Sequence, residues 1–226
     1  GMFAFALWCR DSRELVLARD RFGEKPLFVA ETPDGIVFGS ELASILAYPG
    51  FTDAADETAI DLFLQLSYFP EPLTPFRHVR KLPAGHFARL KPGDRGMVPR
   101  PYWSAIEAAV AARREAVAAR ADSGEIVTAI AERLQRVVAN QMIADVPLGA
   151  FLSGGIDSSL VVALMQRASS RPVRTFTIGF KDEAYDEAPY ARAVARHLGT
   201  DHTEVVLDWR EGLDLVERLP EIYSEP

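Results

Sequence analysis

The sequence predicts an α+β half followed by an α/β half, on three observations. Apolar runs of strand length, separated by short turns, fill the first forty residues. From about residue 146 onward, apolar runs alternate with helix-length segments, the order that builds a doubly wound parallel sheet. At the head of that alternation, residues 147–160 read PLGAFLSGGIDSSL: an apolar run stops abruptly in a loop of small, hydroxylated residues and resumes as a helix.

Taken in order, residues 2–8 are apolar at every position, which predicts a strand covered on both faces, as in an internal layer of a sandwich. Asp11 and Ser12 turn the chain into a second strand over 14–18, giving a hairpin. A charged loop over 19–26 leads to a third strand over 27–30, and Pro33, Asp34 and Gly35 turn it into a fourth over 36–38. Ile60, Leu62, Phe63 and Leu66 recur at helical spacing within 57–66. Residues 70–101 are rich in Pro and Gly and read as boundary material, with a short strand over 87–90. Residues 104–121 combine high helix propensity with little apolar stripe, the pattern of a surface helix, and Ala121, Asp122, Ser123 and Gly124 interrupt it. Over 125–143, Ile126, Ile130, Leu134, Val137, Val138 and Met142 share one face and predict a packed helix. Beyond the glycine loop the pattern gives a helix over 158–167, a strand over 173–179, a helix over 185–198 stopped by Gly199, and a strand over 203–207.

Composition narrows the function classes. The 226 residues are 48% hydrophobic and 25% charged, ordinary globular material. A net charge of −7 with scattered basic residues argues against a nucleic-acid surface. No apolar stretch is long enough to span a membrane and the start lacks the basic flank of a secretory signal, so the chain reads as cytoplasmic with no membrane partner. Cys9 is the single cysteine, placed within an apolar strand pattern and most simply a core residue, while His78, His86, His197 and His202 never fall at metal-ligand spacing. Gly1 reads as a tag remnant before Met2, and both ends read as cuts through a larger protein.

The glycine loop has the layout of a phosphate site. Gly154 and Gly155 permit backbone conformations and approaches that a Cβ would block, and the next helix N-terminus aims free amides at an anion. The lysine of the G-x-x-x-x-G-K-[ST] loop is missing, so that template does not fit. A serine-rich helix cap is the plainer alternative, but a cap needs only one Ser or Asp and one Gly. Asp157 either shares a Mg²⁺ with phosphates or caps the helix, and chemistry alone leaves both open. At the end of the next strand, Ile178 and Gly179 either stand beside the loop as an apolar wall for an adenine ring or, for Ile178, belong to the core.

The loop's S-G-G-x-D-S-S pattern resembles the pyrophosphate loop of the N-type ATP pyrophosphatases. Together with Ala18 to Phe28 (ARDRFGEKPLF), Gly39-Ser40-Glu41-Leu42, Lys81 to His86 (KLPAGH), Pro101-Tyr102-Trp103 and Asp145-Val146-Pro147, it resembles the succession of landmarks in glutamine-hydrolysing asparagine synthetases. That resemblance implies that residues 1–100 are the later part of an αββα N-terminal-nucleophile glutaminase (glutamine amidotransferase type 2) sandwich. Residues 101–226 would then begin a doubly wound, parallel-sheet ATP pyrophosphatase domain. It further implies ATP and Mg²⁺ as cofactors, aspartate, glutamine and ATP as substrates, and a homodimer. Leu152, Ser153, Gly154, Gly155, Asp157 and Ser158 match the family's ATP loop and Ile178 its nucleotide contact, with Asp157 reaching Mg²⁺ through ATP. The family's nucleophilic cysteine needs the mature N-terminus, so Cys9 does not replace it, and no catalytic residue is assigned in this chain. Arg19 and Asp20 match a landmark without a catalytic role, read as packing or domain contact, and Gly23 and Pro26 shape that loop. Two other classes remain: a related amidotransferase or β-lactam synthetase acting on another acid, and a nucleotide-binding protein without catalysis.

Overall fold

The computed structural model of the chain describes residues 1–94, 96–119, 122–182, 184–223 and 225. It divides into two compact units, Gly1–Ala118 with Leu219–Pro226, and Ala119–Arg218.

The first unit opens with β1 (Ala4–Cys9) and β2 (Glu14–Arg19), an antiparallel hairpin registered from Ala4 opposite Arg19 to Cys9 opposite Glu14. Next come β3 (Phe28–Thr32), β4 (Gly35–Gly39), α1 (Leu42–Leu46), α2 (Glu57–Leu66), β5 (Val79–Lys81), β6 (His86–Leu90) and β7 (Arg100–Pro101). They form two antiparallel sheets, ordered β1-β2-β6-β7 and β4-β3-β5. Leu17, Ala88 and Leu90 of the first sheet pack on Leu27, Val29 and Leu82 around the second, making one apolar layer between them. Side chains alternate along a strand, so Phe28 and Ala30 point the other way, onto Leu42 and Ile45 of α1. The unit therefore stacks sheet, sheet and helix.

α2 occupies the span its pattern predicts, because Asp56 caps it by accepting from Ala59 N at 3.1 Å and Ser67 ends it in a left-handed turn at φ 61°. β1 departs from expectation. It is an edge strand of its sheet, and Phe5, Leu7 and Trp8 are 44%, 57% and 49% exposed, so it is not covered on both faces. Cys9 is likewise not a core residue: it ends β1 beside the turn and is half-buried.

α3 (Ala105–Ala119) follows as the surface helix the sequence predicts, exposed at every residue from 105 to 115. Ala121, in the expected interruption, lies outside the described residues; Asp122 beyond it caps the next helix, accepting from Gly124 N at 3.1 Å.

The second unit contains α4 (Ser123–Gln141), β8 (Gly149–Phe151), α5 (Ile156–Ala168), β9 (Arg174–Phe180), α6 (Ala188–Leu198), β10 (Asp201–Leu207) and α7 (Trp209–Val216). Its three strands are parallel in the order β10-β9-β8. Leu152 and Ala150 pack with Val162 of α5 and Ala191, Val194 and Ala195 of α6, so both helices lie on one face. Phe151, Ile178, Phe180 and Val205, on the opposite face, are exposed. α5 and α6 thus cover one face of this parallel sheet, and the second layer of helices that double winding calls for is not seen among the described residues. α4 packs along α5 but is less buried than its stripe predicts: none of its residues is fully buried, and Ile126 and Ile130 are 48% and 52% exposed. α6 stops at Gly199, which takes the left-handed conformation at φ 70° that favours glycine.

After the second unit, α8 (Leu219–Ile222) returns the chain to the first, where Lys81 Nζ donates to Glu225 Oε2 at 2.9 Å.

Candidate functional site

The loop of residues 152–155 joins the carboxyl end of β8 to the N-terminus of α5. Leu152 anchors it: the side chain is buried in the core, the amide donates to Phe176 O at 2.9 Å, and its carbonyl accepts from the Thr177 hydroxyl. Its contribution is to fix where the loop starts. The Ser153 and Ser158 hydroxyls lie 2.9 Å apart, Ser158 Oγ accepts from Ser153 N, and Ser153 Oγ accepts from Gly155 N. These bonds fold the loop over the first turn of the helix.

The two glycines differ in what they do. Gly154 has φ +80°, and a Cβ there would stand 2.6 Å from Tyr190 Cβ and 2.7 Å from Ala191 N, so the loop lies directly on α6. Around Gly155 a Cβ would meet only Ser153 Oγ, at 3.3 Å. One glycine allows packing and the other leaves room.

Gly155 is the N-cap of α5 and supplies no capping side chain. The helix begins at Ile156, two residues earlier than the sequence pattern suggests, which places Asp157 inside the first turn. Asp157 is exposed and does not cap the helix; in the first turn its carboxylate interacts favourably with the helix dipole. Ile178 is 49% exposed at the carboxyl end of β9, two residues beyond the Phe151–Phe176 pair, so it is not core. Ser159, which completes the motif but was not among the predicted contacts, has a buried Oγ without a hydrogen-bond partner. An orphaned hydroxyl, free amides and a glycine with open space make a cradle suited to an anion. Among the described residues, no group of three or more His, Cys, Asp or Glu is arranged to hold a metal ion. A Mg²⁺ here would take one carboxylate, from Asp157, and phosphate oxygens, a donor set this cation accepts.

In the first unit, the Arg19–Asp20 landmark is a buried polar hub. Arg19, 6% exposed, donates from Nε to Lys25 O, from Nη1 to Glu71 Oε1 and Leu82 O, and from Nη2 to Gly23 O, at 2.6 to 2.8 Å. Asp20 accepts from the amides of Phe3, Phe22, Glu24 and Lys25. Burial pushes its carboxyl up, but the four amides, led by Lys25 and Glu24, together outweigh burial and leave it below the ordinary carboxylate range. Gly23 turns at φ +67°, where a Cβ would strike the Arg19 guanidinium at 2.8 Å. Glu71, fifty-two residues from Arg19, gave no signal in the sequence. At the hairpin, hydrogen bonds from Ser12, its side chain first and its backbone second, hold the Cys9 thiol below its usual value.

Two family profiles match the chain: a glutamine amidotransferase domain over residues 1–103 and asparagine synthase over residues 129–226. A Mycobacterium tuberculosis protein provisionally named as a glutamine-hydrolyzing asparagine synthetase is 41% identical over 225 residues, covering 98% of this chain and 33% of its own length. Asparagine synthetase 1 of Bacillus subtilis is 28% identical over all of this chain and 34% of its own length. The amidase chyE of Penicillium rubens is 31% identical over 92% of this chain and 32% of its own. The chain thus spans about a third of the length of these relatives. With the two profiles following one another and matches running the length of the sequence, the chain belongs to the family of glutamine-hydrolysing asparagine synthetases.

Proposed function

We propose that the chain serves glutamine-dependent asparagine synthesis: residues 101–226 begin the ATP-binding synthetase domain and residues 1–100 are part of an αββα glutaminase sandwich. The observation that carries the reading is the glycine loop on the α5 N-terminus, with space at Gly155 and an orphaned hydroxyl at Ser159. The stack of sheet, sheet and helix in the first unit supplies three of the four layers of such a sandwich. The exposed apolar face of its first sheet is suited to the fourth.

The chemistry follows from what the loop can hold. A side-chain carboxylate is a poor electrophile, so the β-carboxylate of aspartate attacks the α-phosphorus of ATP and pyrophosphate leaves. The β-aspartyl adenylate then yields to ammonia derived from glutamine, releasing AMP. Backbone amides at residues 156–158 and the Ser153 and Ser158 hydroxyls face the departing pyrophosphate, where preorganised donors stabilise developing charge. Asp157 would hold a Mg²⁺ together with the phosphates, and that cation would supply charge neutralisation there, while Ile178 offers its exposed side chain to the adenine. Among the described residues no helix is long and apolar enough to cross a membrane, and we place the enzyme in the cytoplasm as a homodimer. The likeness to the amidase chyE favours one second reading, a related amidotransferase acting on a different acid.

The test is calorimetric titration of the full-length protein with pyrophosphate and Mg²⁺, followed by the variant Gly155→Val. Binding in the wild type and its loss in the variant support the site. Equal affinity in both shows the loop to be only a helix cap. A panel of acids in the pyrophosphate-release assay then decides between aspartate and another substrate.

A further inference from the structure

The pyrophosphate loop does not hold its shape alone, since Gly154 lies on the backbone of Tyr190 and Ala191 at distances that leave no room for a methyl group. The geometry of α6 therefore sets the geometry of the loop. Yet against β9 the start of α6 presents a small residue, Ala188, 1% exposed, while Ala191, Val194 and Ala195 pack on Leu152 and Val162. Gly179 lets the helix approach closely, for a Cβ there would be 2.9 Å from Ala188 Cβ. A methyl group facing a glycine interlocks weakly, so this contact holds the start of the helix close to the strand end without fixing its position there. Polar contacts do that.

Asp186 stands at the first of these contacts. Its Oδ1 accepts from Phe180 N, at the carboxyl end of β9, at 3.2 Å, and from Ala188 N, in the first turn of α6, at 3.1 Å. One oxygen thus ties the helix start to the strand end where Ile178 is exposed. Gly179 again makes this possible, because a Cβ there would be 2.8 Å from the same oxygen. Further along α6, Arg192 forms a two-pronged ion pair with Glu204 of β10, Nε donating to Oε2 at 3.0 Å and Nη2 to Oε1. Tyr190 and Ala191 lie between the two ties.

We propose that Asp186, backed by the Arg192–Glu204 pair, is a positioning residue for ATP, fixing α6 as the wall that shapes the pyrophosphate loop. The inference rests on the reading of that loop as a nucleotide site. Asp186 acts as a hydrogen-bond acceptor, so its amide counterpart should replace it while a methyl group should not.

The experiment measures ATP KM and kcat for pyrophosphate release in the full-length enzyme, with glutamine hydrolysis as an internal control. Asp186→Ala should raise ATP KM by about fivefold to tenfold, the loss of one or two modest hydrogen bonds, with glutaminase kcat/KM unchanged. Asp186→Asn should restore KM to within about twofold, because its carbonyl oxygen accepts from the same two amides. Glu204→Gln should raise KM by about threefold, and the swap Arg192→Glu with Glu204→Arg should recover part of that. An unchanged ATP KM in Asp186→Ala overturns the proposal. So does an Asn variant as impaired as the Ala variant, which would show that the charge, not the acceptor, matters. Failure of the wild type to bind ATP would overturn the nucleotide reading itself, and the inference with it; normal wild-type binding with indifferent variants sinks the inference alone.

Discussion

Replacing Gly154 by alanine should damage the fold, whereas the same change at Gly155 should damage binding. At φ +80° a methyl group on residue 154 would press 2.6 Å from Tyr190 Cβ and 2.7 Å from Ala191 N, atoms that can yield only if α6 moves. The left-handed conformation costs a residue with a Cβ about 1–2 kcal/mol. Forcing an extra carbon into a packed contact adds about 1–3 kcal/mol. The sum, about 2–5 kcal/mol, is a large share of the roughly 5–15 kcal/mol that holds a domain together, and it should lower the melting temperature by at least about 5 °C. Gly155, at φ −69°, sits where any residue is comfortable, and its added methyl would meet only Ser153 Oγ at 3.3 Å. Gly155→Ala should therefore melt within about 2 °C of wild type while binding pyrophosphate more weakly. Scanning calorimetry on the two variants, each also titrated with pyrophosphate, separates the roles. Equal losses of melting temperature, or an unshifted Gly154→Ala, would refute the assignment of one glycine to packing and the other to the ligand.

Three further outcomes follow from the same geometry. Asp20, held below the ordinary carboxylate range in the fold, contributes stability that is full above its unfolded value near ~4 and is lost as pH falls through its lowered folded value. In urea unfolding from about pH 7 down to about pH 2, the stability gap between wild type and Asp20→Asn should narrow with acid, and a gap independent of pH would contradict the role given to its four amide donors. Asp157→Asn should keep the melting temperature nearly unchanged, since an exposed first-turn carboxylate adds only about 0.3–1 kcal/mol, yet slow pyrophosphate release about a hundredfold; an unchanged rate at saturating Mg²⁺ removes the cation role. Cys9→Ala should leave glutamine hydrolysis by the full-length protein intact, because the thiol sits at a hairpin with no α-amino base beside it, and a loss of that activity would make Cys9 a nucleophile.

Signals confined to a few neighbouring residues could be read from the sequence. The stripe of Ile60, Leu62, Phe63 and Leu66 places α2, Gly199 ends α6, and Asp11 with Ser12 marks the first hairpin. Partnerships across the chain could not. β2 pairs with β6 some seventy residues later, and Arg19 finds Glu71; neither leaves a local pattern, because pairing depends on how distant segments meet. The apolar runs of β1 and α4 show what favours burial, not what packs there, which is why both proved exposed. At the site, the motif located the loop, but Asp157 read as a candidate cap because caps are usually side chains; here Gly155 takes that position and the helix starts earlier. The dependence of Gly154 on α6 was hidden for the same reason as the strand pairings, since Tyr190 lies thirty-six residues away.

The central claim is that the loop serves a reaction splitting ATP between its α and β phosphates through an acyl adenylate. Aspartate labelled with ¹⁸O in its β-carboxylate tests it most directly in the full-length enzyme supplied with ATP, Mg²⁺ and glutamine. The carboxylate oxygen that attacks phosphorus stays there when ammonia displaces the nucleotide, so the product AMP should carry one ¹⁸O for each asparagine formed. Unlabelled AMP, or the appearance of ADP and phosphate in place of AMP and pyrophosphate, would contradict the account.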